Sequence, residues 1–211
     1  YKICKKHNFN YLVHNYFPIP KKSFVVNVAS LDKKIRDKSI LHVKKCIRFT
    51  KSINSKLYTF HPGFAEDPMS PNYSLKNYDF VWSKLKKNNY KKVFKQMIIS
   101  LKEISIYAKQ KSVNIAIETE GSFKKKDLLV MQRPKEFIEL FKYFKPNDLG
   151  INLNIGHLNL ASKAFNFSKK NFVKLLKRYD SYQSPRKIFG KAEQNFDDDN
   201  ESIGNDTEIV D

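Results

Sequence analysis

The chain has 211 residues, 41% of them apolar, with 17 Phe and 11 Tyr, which suffices for one domain with a sizeable core and excludes global disorder. Six Gly, eight Pro and two Cys (Cys4 and Cys46) without CxxC spacing exclude a fibrous chain and a disulfide framework, so a reduced, cytoplasmic setting without a membrane span is expected. The formal net charge is +19, and because residues 194–211 carry seven acids and no Lys or Arg, residues 1–193 carry +26, a surface that attracts polyanions but does not by itself identify one.

In chain order, YKICKKHNFN (1–10) reads as the end of a helix. YLVH (11–14) follows as a short apolar run closing on a histidine. SILHVKKCIRFTKSI (39–53) has helical spacing, with Ile40, Val43, Ile47 and Ile53 near one face and Lys and Arg opposite. LYTFH (57–61) is a second apolar run, and its histidine enters the turn-forming pair Pro62–Gly63. FAEDPMSPNYSLKNYDFVW (64–82) reads as a long connection that covers a substrate or simply links strand to helix. VFKQMIISLKEISIYAKQ (93–110) again has helical spacing, through Val93, Met97, Leu101, Ile104 and Ala108. VNIAIE (113–118) is a third strand, with Glu120 beyond it expected to be loop-exposed. PKEFIELFKYF (134–144) starts a helix with Pro in the first turn. GINLNIGH (150–157) is read as a fourth strand, and NFVKLLKRY (171–179) as a last helix. Residues 1–180 are expected to form the domain, and residues 181–211 a diverged segment with an acidic, flexible tail.

Strand then helix, repeated, predicts βα units and a parallel sheet, hence an α/β fold. No Gly-rich phosphate loop follows any strand, which argues against a doubly wound dinucleotide fold. The terminal polar residues His14, His61, Glu118 and His157 then all fall at carboxyl ends of strands. In a (β/α) barrel, that rim is where sites are built. Each histidine alone is compatible with a structural, hydrogen-bonded role. A carboxylate directly after VNIAI costs free energy at the mouth of a buried sheet unless it is paired or metal-bound. Imidazole and carboxylate together are the donors that hold Zn²⁺, Mn²⁺ or related ions and polarise a carbonyl or activate water.

The succession VHNYFPIPKKSFVVNVAS, YTFHPGF, NIAIETEGS and GINLNIGHLNLA, over roughly residues 8–165, resembles the xylose isomerase-like TIM-barrel superfamily. That grouping holds sugar and sugar-phosphate isomerases and epimerases together with abasic-site nucleases of the endonuclease IV type. His14 with Tyr16, Asn27 to Ser30, His61 to Gly63, Glu118, and Asn154 with His157 match its nuclease branch in order. The resemblance implies a partial (β/α) TIM barrel, roughly strands two to five of eight, with a diverged or truncated C-terminal part. It implies a divalent metal (Zn, Mn or Mg) held by His61, Glu118 and His157, with Glu118 and His61 also catalytic. His14, Tyr16 and Asn154 are then the candidate substrate contacts, His14 being also a candidate ligand. Two departures stand out: Asn154 occupies the place of an acid, and no histidine follows His157. An isomerase or epimerase acting on a sugar or sugar phosphate through one metal is the first expectation. An abasic-site endonuclease acting on DNA is the second, and a non-catalytic domain that needs a partner is the third. Open sheet edges would call for a partner or an oligomer.

Overall fold

The computed structural model describes Lys6 and residues 11–71, 80–82, 89–122 and 128–181. The helix end read in YKICKKHNFN and the acidic tail therefore lie outside the described residues, as do Cys4 and much of the 64–82 connection. The described elements run β1 (Val13–His14), α1 (Lys33–Ser52), β2 (Leu57–Phe60), β3 (Pro68–Pro71), β4 (Phe80–Trp82), α2 (Tyr90–Gln110), β5 (Asn114–Glu118), α3 (Pro134–Leu140), β6 (Gly150–Asn152), α4 (Ile155–Phe165) and α5 (Lys169–Ser181).

Four strands make one sheet in the order β1-β2-β5-β6, and every pairing is parallel. Helices α1, α2 and α3 lie between successive strands in the chain, so the sheet is a run of βα units and the fold is a partial (β/α) barrel. Parallel strands covered by helices read as continuous apolar runs, and Ile115, Ala116 and Ile117 of β5 are all buried, as are Tyr58 and Phe60 of β2. Against them pack Val43, Cys46 and Ile47 of α1, and Met97, Leu101 and Ile104 of α2.

The helix boundaries follow from capping. Asp32 caps α1 by accepting from Lys34 N and Ile35 N at 2.7 and 3.2 Å, so the helix starts six residues before the apolar periodicity in the sequence. Asn89 caps α2 in the same way, through Lys92 N. Pro134 opens α3, whose Glu136 reaches back to Arg133 N at 2.6 Å. Phe137 of α3 is fully buried and meets Phe172 of α5 edge-on at 4.9 Å, while Phe141 stacks on Tyr179 at 3.7 Å.

Two expectations are corrected. The connection 64–82 contains an antiparallel pair, β3 with β4, rather than loop alone. The run GINLNIGH is not one strand: β6 stops at Asn152, and Asn154 caps a helix that begins at Ile155. Asn is a strong N-cap residue, and LNLASKA after it repeats with helical spacing, so the chain turns from strand to helix within two residues. His157 is thus a first-turn helix residue, not a strand end.

Candidate metal centre

The carboxyl ends of β1, β2 and β5 bring His14, His61 and Glu118 together. One ligand atom from each lies within 4.8 Å of the other two, a separation that a single ion can span. His14 is in register with Thr59 of β2, and its Nδ1 is hydrogen-bonded to Thr59 Oγ1 at 2.8 Å. Its Nε2 lies 3.6 Å from Glu118 Oε2. The His14 and His61 rings meet edge-on, with centroids 5.3 Å apart.

His61 is aimed by the Pro62–Gly63 turn. Gly63 has φ +120°, and a Cβ there would sit 2.3 Å from Asn27 Oδ1, so only glycine fits. Asn27 holds this turn from the VVNVAS segment: its Oδ1 accepts from Phe64 N at 2.9 Å, and its Nδ2 donates to Asp67 Oδ1 at 2.8 Å. Ser30 donates to the other oxygen of Asp67 at 2.7 Å. The 27–30 segment therefore acts as the scaffold of the His61 turn.

Glu118, 5% exposed, accepts from two amides, Asn154 Nδ2 at 2.7 Å and Asn152 Nδ2 at 3.0 Å. Both ends of the Asn154 carboxamide are committed, since its Oδ1 accepts the His157 amide at 3.1 Å. His157 stands beside the trio rather than within it. Its Nδ1 donates to Thr119 O at 2.8 Å and lies 3.5 Å from Glu118 Oε1, and its ring centroid is 6.0 Å from that of His61. The expected ligand set His61, Glu118 and His157 thus differs from the compact one by one histidine, because His157 arrives on a helix. Tyr16 is engaged elsewhere: its hydroxyl accepts the Val26 amide at 2.8 Å, and its ring lies beside His42.

Glu120 was expected on an exposed loop, and this is corrected. It is 7% exposed, and its Oε1 accepts from His61 Nδ1 at 2.5 Å, with Oε2 3.8 Å from His157 Nδ1. The sequence does carry a signal for it: in extended chain, residues two apart share a face, so Glu118 and Glu120 point the same way. Behind Glu120, Gly121 packs so closely on α4 that a Cβ would lie 2.1 Å from His157 O.

The electrostatics differ between the histidines. Burial, and next the charge of His61, lower the pKa of His14 below its ordinary 6.5, despite Glu118 nearby. For His61, burial lowers the pKa but is outweighed by the Glu120 hydrogen bond and the charges of Glu120 and Glu118, so the net shift is upward.

Comparison with known proteins gives the family and the fold. A family model described as "Xylose isomerase-like TIM barrel" matches residues 2–196. Apurinic-apyrimidinic endonuclease 1 of Plasmodium falciparum is 38% identical over 74 residues, which are 35% of this chain and 12% of that protein. Among solved structures, a D-tagatose 3-epimerase-like protein superposes with TM-score 0.59 at 19% identity, over 84% of this chain and 55% of that one. D-psicose 3-epimerase from Clostridium cellulolyticum H10 does so with TM-score 0.59 at 15% identity, over 84% of this chain and 53% of that one. At such identities the likeness is one of fold, and the chain spans about half the length of these structures.

Proposed function

The chain belongs to the xylose isomerase-like TIM-barrel family, and on that premise we propose that its rim binds one divalent cation and supports hydrolysis of a phosphodiester in abasic DNA. The observation that carries this is the convergence of His14, His61 and Glu118 within 4.8 Å. Two imidazoles and one carboxylate suit Zn²⁺ or Mn²⁺ better than Mg²⁺, which prefers oxygen donors and retained water. When bound, such a cation supplies Lewis acidity and lowers the pKa of a water at its open position.

The chain's own residues do the rest. Thr59 engages His14 Nδ1, and Glu120 engages His61 Nδ1, so each ring keeps Nε2 for a cation. Asn152 and Asn154 orient the Glu118 carboxylate without adding charge. His157, its Nδ1 occupied by Thr119 O, keeps Nε2 for a substrate oxygen. The charge of +26 over residues 1–193 favours a polyanionic substrate, as does the sequence likeness to an apurinic-apyrimidinic endonuclease.

The second reading is a sugar or sugar-phosphate isomerase or epimerase using the same cation. The fold likeness to the epimerases favours it. Against it stands the proton shuttle, which needs a free carboxylate near the sugar carbon. Here Glu120 is tied to His61, and amides occupy positions 152 and 154. The test is cleavage of a duplex containing one abasic site by Zn²⁺- or Mn²⁺-loaded protein, with His61→Ala as control. Incision that His61→Ala abolishes is the expected result. Deuterium exchange at a ketose carbon, without incision, would replace this reading with the second.

A further inference from the structure

The acid missing at position 154 has a counterpart on another element. Glu118 is flanked by amides, and a cation held by two neutral imidazoles and one carboxylate would leave a net charge of +1 at a half-buried rim. Such a charge is costly without a partner. Glu120 is that partner by position: its carboxylate, 7% exposed, contacts His61 on the Nδ1 side, and the Nε2 lone pair is left over. A carboxylate can only accept, so the proton of a neutral His61 ring must sit on Nδ1.

We propose that Glu120 is a positioning residue for the cation site, fixing the tautomer and orientation of His61 and supplying, through it, the negative charge that Asn154 does not bring. This rests on the cation reading of His14, His61 and Glu118. The segment that carries Glu120 is built to hold it. Glu120 N donates to Met131 O at 3.1 Å, and Thr119 Oγ1 accepts from Asn154 N at 3.0 Å. Gly121 then lets the chain pass against His157 O, where a Cβ would lie 2.1 Å away. Oε2 of Glu120 lies 3.8 Å from His157 Nδ1, so one carboxylate lies between the two rings. A carboxylate behind a ligating imidazole raises its basicity and fixes its ring, and its loss typically weakens metal affinity 10- to 100-fold.

The experiment uses the full chain. Zn²⁺ affinity is measured by calorimetry for wild type, Glu120→Gln, Asn154→Asp and the double variant, and the His61 tautomer is read from ¹⁵N shifts of the metal-free wild type. Gln keeps the size and an acceptor oxygen, so packing is retained while the charge is lost. The expected results are a 10- to 100-fold loss in Glu120→Gln, substantial recovery in the double variant, and an Nδ1-protonated His61. Zn²⁺ binding by the wild type that Glu120→Gln leaves within about twofold would overturn the role of Glu120 alone. A neutral His61 ring protonated on Nε2 and not on Nδ1 would do the same without any variant. No Zn²⁺ binding by the wild type would overturn both this role and the cation reading beneath it.

Discussion

His61 joins the turn, the cluster and the acid behind it, and its protonation state governs whether it can ligate. Its pKa is raised above 6.5 by Glu120 and Glu118 against the lowering effect of burial, so in the metal-free protein a proton occupies the ring to a higher pH than in an ordinary histidine. A cation competes with that proton. Affinity for Zn²⁺ therefore falls as pH drops through the raised His61 value, and the fall begins above 6.5; titration calorimetry between pH 8 and 6 checks this. His14 shifts the other way, under burial and the charge of His61, so it adds less to the loss than an ordinary histidine would. At Gly63 the backbone sets the limit. Gly63→Ala combines φ +120° with a Cβ 2.3 Å from Asn27 Oδ1, and a loss of about 1–3 kcal/mol is expected in urea unfolding.

At the scale of elements, the strands were legible because buried parallel strands have the period and composition of their environment. YLVH, LYTFH and VNIAIE gave β1, β2 and β5 nearly in full. β6 is shorter than the apolar run that contains it, since periodicity cannot separate a short buried strand from the first turn of a helix, and Asn154 both caps that helix and contacts Glu118. His157, expected as a ligand, reaches the rim from the first turn of α4. Glu120 is not legible as a site residue because a polar segment after a strand normally faces solvent, whereas this one is buried and docks on α4. That joint gives a prediction: Gly121→Ala pushes the segment off His157 O, and a displacement near 1 Å lowers the proposed abasic-site incision by on the order of 100-fold while the helical circular dichroism is kept. Further out, α3 is anchored by Phe137. Truncation to Ala leaves a cavity between Phe141 and Phe172 and costs about 3–5 kcal/mol, measurable by chemical denaturation.

For the whole molecule, the two proposed readings call for partners of different charge. The partial barrel resembles sugar epimerases in shape, while +26 over residues 1–193 is a polyanion-attracting surface. Salt separates them. Binding to an abasic duplex should weaken steeply and linearly in log salt, by on the order of 1,000-fold or more between 50 and 200 mM if six or more phosphates are neutralised. Binding of a neutral ketose would show no such slope. Among the described residues no helix is long and apolar enough to cross a membrane.

The central claim is that β1, β2 and β5 present His14, His61 and Glu118 to one divalent cation. Metal analysis with Zn²⁺ titration of chelator-treated protein tests it most directly. One ion per chain, with binding lost in His14→Ala and in His61→Ala but only weakened in His157→Ala, is the result predicted. Failure of the wild type to bind, or binding that survives both His14→Ala and His61→Ala, would contradict it.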